Sequence, residues 1–159
     1  MSAPSFDEIL FALRRGQVNF IVVGMSAAVL QGVPTTTFDI DIVHERTDEN
    51  VCRLVRVLAD MGAVFRNDRR RIQPRETHLM GPGHALLETK FGDLDCLGTI
   101  DADETYESLL ASSVPLSLGD GIEIRVVSLV RLIEIKRRAG RPKDRAALPL
   151  LEASLAELQ

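Results

Sequence analysis

Val22-Val23-Gly24-Met25-Ser26 and, after a short intervening stretch, Phe38-Asp39-Ile40-Asp41-Ile42-Val43 decide how this chain folds. A glycine turn leads to two carboxylates, one residue apart, inside an otherwise apolar run. In a strand side chains alternate between faces, so Asp39 and Asp41 project from one side with Cα atoms roughly 6.6 Å apart. Phe38, Ile40 and Ile42 are then expected to fill the other side. Two unpaired carboxylates on a core strand repel each other and resist burial. A bound divalent cation removes both penalties, so the segment reads as a site for Mg2+ or Mn2+.

Working outward, the site needs a third carboxylate, and Asp93 and Asp95 are the candidates. They share a face of a second strand whose Leu94 and Cys96 point the other way. Magnesium favours a few carboxylate oxygens plus substrate phosphates over a full protein cage. Two such ions about 3.5–4 Å apart activate an attacking oxygen and stabilise a leaving one. The plainer alternative, Asp39 capping a turn and Asp41 meeting an arginine, accounts for neither the preceding glycine turn nor the acidic strand downstream.

Around this centre the periodicities predict an α/β (α+β) chain with a mixed sheet. Ser5-Phe6-Asp7-Glu8 fits a capping box, and Phe6, Ile9, Leu10 and Leu13 keep helical spacing until Gly16. Val18–Val23 reads as a buried strand and Ser26–Leu30 as a short helix. Thr47 caps a long helix striped by Val51, Leu54, Val55 and Leu58, ending at Gly62. Ala63–Phe65 is a strand, Arg66–Arg75 a loop with a short strand near Ile72, and Gly81-Pro82-Gly83 a turn. His84–Glu88 and Asp93–Leu97 form a hairpin, Tyr106–Leu110 a helix, and Val114–Leu118 with Ile122–Val127 a second hairpin. Ser128 caps a helix to Ala139, and Pro142 opens a last helix interrupted at Pro149. At 159 residues the expectation is one domain over 1–159, with its core at about 18–127 and C-terminal helices at 128–159.

Composition narrows the function classes. An apolar content of 45% with 26% charged residues is that of an ordinary globular protein, and no apolar stretch is long enough to span a membrane. Met1-Ser2-Ala3-Pro4 lacks the basic and apolar regions of a leader. Cys52 and Cys96 show no metal-ligand spacing, which favours reduced, buried thiols and a cytoplasmic location. A net charge of −4 argues against general nucleic-acid coating. The basic run Arg66, Arg69, Arg70, Arg71 and Arg75 is either solvated surface or a guide for a polyanion such as an RNA end. With one Tyr and no Trp, a base-stacking platform is not expected.

Val22–Asp41 as a whole resembles the signature of the DNA polymerase β-like nucleotidyltransferase superfamily, in particular its AbiEii-type branch, whose pattern is Gly-Gly, then His-Gly, then Arg-x-Thr-x-Asp-x-Asp. Gly92-Asp93-Leu94-Asp95-Cys96-Leu97-Gly98 resembles that branch's third-carboxylate strand, with Asp95 at the acidic position. Ser128-Leu129-Val130-Arg131-Leu132-Ile133-Glu134-Ile135-Lys136, continuing into Gly140-Arg141-Pro142-Lys143-Asp144, resembles its C-terminal helical motif. His78-Leu79 with Gly81-Pro82-Gly83-His84 resembles a small bacterial subgroup of the branch. Met25, Gln31 and Thr35 depart from the pattern, replacing a glycine, a histidine and an arginine.

The resemblance implies the nucleotidyltransferase fold and transfer of a nucleoside monophosphate from a nucleoside triphosphate to an RNA (tRNA) end or a protein hydroxyl. Asp39, Asp41 and Asp95 would be both catalytic and metal-holding, and the Gly24–Ser26 turn would receive the triphosphate. It further implies a toxin–antitoxin or phage-defence setting with an antitoxin protein as partner. An antibiotic acceptor is less expected, because no second domain is evident to form a drug pocket. A non-catalytic nucleotide- or partner-binding module with a degenerate fold is the opposing class, resting on Met25 and Thr35.

Five further residues are assigned from their own context. Lys136 lies on the apolar stripe Leu129, Leu132, Ile133, Lys136, where a lysine must snorkel or meet an anion, here a phosphate or a site carboxylate. Asp144 is a helix N-terminal charge or a site residue. Thr37, two residues before Asp39, should face the acidic side, either simply as a β-branched strand residue or with its hydroxyl within reach of phosphate or open to self-modification. His78 and His84 flank the Gly-Pro-Gly turn and are expected to form a hydrogen-bonded pair.

Overall fold

Helix α1 (Phe6–Arg15) buries Ile9, Leu10 and Leu13, as its spacing requires. The computed structural model to which it belongs describes residues 4–101 and 103–158, so the reading of Met1–Ala3 as no leader lies outside the described residues. The capping box expected at Ser5 does not form. Its side chain caps nothing, and its backbone is held instead by Phe91, whose carbonyl accepts the Ser5 N–H at 2.6 Å.

The chain continues through β1 (Phe20–Val23), fully buried, α2 (Gly24–Leu30) and β2 (Asp39–His44). Helix α3 (Asp48–Asp60) is capped by Thr47, whose hydroxyl accepts the Asn50 N–H. Next come β3 (Val64–Phe65), α4 (Glu76–Met80), β4 (His84–Thr89), β5 (Gly92–Leu97) and α5 (Tyr106–Leu110). The chain closes with β6 (Ser113–Gly119), β7 (Ile122–Val127), α6 (Leu129–Ala139) and α7 (Pro142–Leu158). Ser128 caps α6 by accepting the Arg131 N–H, and Gly140 ends it in the left-handed region at φ 64°.

The strands form one seven-stranded mixed sheet in the order β3-β4-β5-β2-β1-β7-β6. β2 is antiparallel to β1 and parallel to β5, while β1 runs parallel to β7. The hairpins β4–β5 and β6–β7 are where their turn residues place them. The expected mixed sheet flanked by helices is the fold observed.

Several local expectations are corrected. Phe38 precedes β2 instead of belonging to it and is 85% exposed, so it fills no core. No strand forms at Ile72, whose carbonyl takes one hydrogen bond from the Phe65 N–H at 2.9 Å. The short helix α4 arises between the expected loop Arg66–Arg75 and the Gly81-Pro82-Gly83 turn, in a stretch with no assigned element. Helix α7 runs through Pro149, because this residue and Arg145, whose carbonyl loses its partner, both face solvent. Cys96 is buried but Cys52 is exposed. No helix is long and apolar enough to cross a membrane.

The register sets the site. Pairing places Asp41 opposite Val23 on β1 and Asp95 on β5, and Asp95 opposite Leu86 on β4. Val23, Asp41, Asp95 and Leu86 therefore stand in one row on one face. The reverse face carries Ile40, Ile42, Leu94, Cys96, Ala85 and Leu87, all buried. Burial of that apolar set specifies the register, since a one-residue slip would drive the acids into the core.

Candidate functional site

Asp39, Asp41 and Asp95 each bring one carboxylate oxygen to within 4.8 Å of the other two. They lie at the base of a cleft of about 810 Å³, open on one side and walled on the other by α6 and α7. Asp39 and Asp41 are two residues apart on β2, and Asp95 is the parallel partner of Asp41. Asp93, the other candidate, pairs with Asp39 but turns to Arg66 at 3.7 Å.

Burial and mutual repulsion shape their protonation. Burial, then the neighbouring charges of Asp39 and Asp95, push the Asp41 carboxyl up to about 8, and the Lys136 ammonium offsets this only in part. Asp39 is raised by burial and by Asp95, against a weaker pull from Arg66. Asp95 is 8% exposed, and its Oδ1 accepts no hydrogen bond although the Arg66 guanidinium lies 3.0 Å away. Crowded carboxylate oxygens, two of them half-buried and one buried with an unsatisfied acceptor, are the donor set a hard divalent cation takes. The three residues present fit Mg2+ or Mn2+.

Gly24 opens α2 at φ +63°, and a Cβ there would lie 2.6 Å from Asp41 Oδ2. Its lack of a side chain is thus required by the carboxylate itself. Gly24 and Met25 line the cleft at the N-terminus of α2, which has no side-chain cap. Ser26 is buried beneath them. Its hydroxyl donates to the Val23 carbonyl at 2.8 Å and accepts the Asp41 N–H at 3.1 Å, tying α2 to the acidic strand. Gln31, where the resemblance has histidine, donates to the Val127 and Ala27 carbonyls. Thr37 lies in the loop before β2, lines the cleft and donates to the Asp39 carbonyl at 2.9 Å.

On the opposite wall Lys136 Nζ sits 3.3 Å from Asp144 Oδ1. Asp144 is fully buried, and its other oxygen accepts from Arg141 Nε at 2.6 Å and from the Arg141 backbone N–H at 3.2 Å. Burial alone would raise this carboxyl, but the Arg141 and Lys136 hydrogen bonds hold it below its ordinary value. Asp144 is thereby a fixed anion that aims two cations at the cleft.

The two histidines do not pair. His78 Nδ1 accepts the Arg75 N–H at 2.9 Å, closing the first turn of α4, while its ring meets Phe65 edge-on. His84 Nε2 lies 2.8 Å from the Thr99 carbonyl, and the residue lines the cleft. Each has a nearer backbone partner than the other. Among the described residues the acid triad is the only group arranged to hold a metal ion.

Three ionic contacts at or near the site are not drawn from the sequence, where Arg66 reads as solvated surface or a guide for a polyanion. Arg66 meets Asp95 across a separation of 29 residues, for which no local spacing gives a signal. Arg141 stands three residues before Asp144 at a helix start, a pairing its spacing does announce. Glu104, next to the cleft residue Asp101, binds Arg131, Arg138 and Ser108 and latches the segment after β5 to α6.

No protein-family model and no curated relative matches the sequence. Solved structures do resemble it. TM1012 of Thermotoga maritima, a candidate nucleotidyltransferase, superimposes with a TM-score of 0.57 at 19% identity, over 96% of this chain and 91% of its own. The antibiotic-resistance factor ANT(2'')-Ia gives a TM-score of 0.56 at 21% identity, over 94% of this chain and 82% of its own. The chain has the nucleotidyltransferase fold.

Proposed function

We propose that the chain is a metal-dependent nucleotidyltransferase that moves a nucleoside monophosphate from a nucleoside triphosphate to an acceptor hydroxyl. The observation that carries this reading is the gathering of Asp39, Asp41 and Asp95, without a full set of internal cations, facing a wall that carries Lys136 and Arg141. Carboxylates hold metal on one side and cations hold phosphate on the other, which is the division of charge that phosphate transfer needs. The fold shared with the two solved structures supports the same reaction class.

Asp39, Asp41 and Asp95 would hold the ions. The chemistry an Mg2+ or Mn2+ ion would supply there is activation of the acceptor oxygen and neutralisation of charge on the leaving one. The backbone amides of the Gly24–Ser26 turn receive the triphosphate, while Lys136 and Arg141, oriented by Asp144, balance its charge. Ser26 holds Asp41 in place, and Thr37 fixes the approach to Asp39. The acceptor oxygen attacks the α-phosphorus, the bond from that phosphorus to the β-bridging oxygen breaks, and pyrophosphate leaves with the electron pair. Arg66 orients Asp95 toward the attacking hydroxyl, whose proton passes to that carboxylate. Most of the acceleration would come from positioning and charge.

The acceptor in this reading is an RNA (tRNA) end or a protein hydroxyl. The likeness to the AbiEii-type branch favours a cytoplasmic toxin–antitoxin or phage-defence component, neutralised by an antitoxin protein, working as one domain over 1–159. Incubation with Mg2+ or Mn2+, each labelled nucleoside triphosphate and total RNA or protein tests it. Label transferred to either supports it, and the absence of both transfer and triphosphate binding overturns it. A second reading, a nucleotide-binding module without turnover, is favoured by Met25, whose side chain stands beside Gly24 in the cleft. Binding without transfer would select that reading.

A further inference from the structure

The two sides of the cleft are furnished differently. On the α6–α7 side stand the cations Lys136, Arg141 and Lys143. Elsewhere in its lining stand Phe38, just before β2 and 85% exposed, and on β4 Leu86, 44% exposed, and His84, also exposed. Their neighbours on the reverse face, Ala85 and Leu87, are fully packed, so it is the acid-bearing face of the sheet that lies open here. Scattered exposed apolar residues are ordinary. A phenylalanine and a leucine lining the same cleft as a carboxylate triad give that cleft an exposed apolar shelf.

We infer that this shelf is the acceptor seat, and that Phe38 stacks on the terminal base of a single-stranded RNA whose 3′-hydroxyl is directed at the triad. The inference rests on the nucleotidyl-transfer reading and names the acceptor within it. The donor triphosphate is drawn to the cationic wall, and an in-line attack brings the hydroxyl from the opposite side, across Phe38 and Leu86. The 3′-oxygen forms the new bond to the α-phosphorus while pyrophosphate departs. The chain has too few Tyr and Trp for a multi-base platform. Phe38 alone offers one flat apolar face without hydrogen-bonding atoms, which suits any single base by stacking.

Charge selects the class of acceptor. The loop following β3 borders the strand that carries Leu86. Arg66 donates its backbone N–H to the Leu86 carbonyl and its guanidinium to the Leu87 carbonyl. Arg70 and Arg71 are paired with Asp68 and Glu88, whereas Arg69 and Arg75 have no ion pair among the described residues. In a chain of net charge −4 this basic loop offers a path for a polyanionic backbone leading off the shelf. An extended peptide is less well served, because the adjoining edge strand β3 has only two residues to pair with.

The test is binding of a short, 5′-labelled single-stranded RNA without nucleotide, read by fluorescence anisotropy. The same RNA is compared with a 3′-terminal base and with a 3′-terminal abasic ribose. Wild type should bind the base-bearing end about tenfold more tightly. In Phe38→Ala the two ends should bind alike, and Phe38→Trp should restore the preference. Calorimetry with Mg2+ and ATP should give the same affinity for wild type and Phe38→Ala. A base preference that survives Phe38→Ala, a wild type that binds neither RNA or binds both equally, or a loss confined to nucleotide affinity overturns the inference. If the Phe38-dependent preference is found but no metal or triphosphate binds, the transfer reading fails while the seat stands. If metal and triphosphate bind but the preference is absent, the seat alone fails.

Discussion

The acid triad and the arginine-bound acids of the same protein make opposite use of one functional group. Asp144 is fully buried between Lys136 and Arg141, and Glu104 is held by Arg131, Arg138 and Ser108. In both, burial would raise the carboxyl, and its partners, the Ser108 hydroxyl and two arginines at Glu104 and the two cations at Asp144, outweigh it and keep it below its ordinary value. Asp39 and Asp41 are raised by that same burial, with Asp95 as a repelling neighbour of both and Asp39 as a further one of Asp41. Where the fold needs a charge for its own architecture it supplies the counter-ion. At the triad it supplies Arg66 to one member and leaves the pair on β2 without an ion pair among the described residues.

Removing one acid from each region should separate the two roles. Asp41→Asn should lower nucleotidyl transfer on the order of a thousandfold, about 4 kcal/mol of transition-state stabilisation, while the protein stays folded. A variant with wild-type turnover in the labelled-triphosphate assay would remove Asp41 from the reaction. Asp144→Asn should instead act first on stability, by about 3 kcal/mol in urea unfolding, because it strands the largely buried Lys136 ammonium. Arg141, 60% exposed, can turn to water and adds little to that loss. Equal destabilisation by both variants would erase the contrast.

A smaller effect sharpens it. Mg2+ at about a hundred times its dissociation constant should raise the stability of the wild type by about 2.7 kcal/mol, seen as a higher melting temperature. Asp41→Asn should show little of this rise. If Asp41→Asn is stabilised by Mg2+ as much as wild type, the ion binds elsewhere.

How much of this contrast is readable in the chain depends on the range of the interaction. The triad was legible because alternation along a strand fixes which acids share a face, and a second acidic strand repeats the pattern. Extending that alternation back to Phe38 failed, since β2 begins at Asp39 and the residue before it follows loop geometry. Gly24 was read as a seat for phosphate, whereas its immediate cause is the Asp41 oxygen a Cβ would strike. That contact depends on how α2 meets β2, which no local pattern encodes. Arg66 with Asp95, and Glu104 with its arginines, join elements that only the sheet order brings together. The missing cap at Ser5 has the same origin, a long-range hydrogen bond from its backbone to Phe91.

The pH dependence of the metal-free protein gives the smallest and most discriminating signal. A carboxyl at about 8 in the folded state and near 3.8 unfolded binds a proton on folding throughout that interval. Its contribution to stability is present at low pH and is lost as pH rises through the folded value. Asp144 and Glu104 have the opposite sign, losing stability only as pH falls below their unfolded values. His44, lowered chiefly by burial, also acts below its ordinary value of 6.5. Between about pH 7 and pH 8 these groups are silent, so wild type should lose about 1 kcal/mol there through Asp41. Asp41→Asn should flatten the slope, and saturating Mg2+ should reduce or reverse it, because the ion displaces the proton. Melting curves at three pH values, with and without Mg2+, decide the matter. A slope unchanged in Asp41→Asn would mean that the repulsion within the triad is relieved some other way, and the contrast with the arginine-bound acids would disappear.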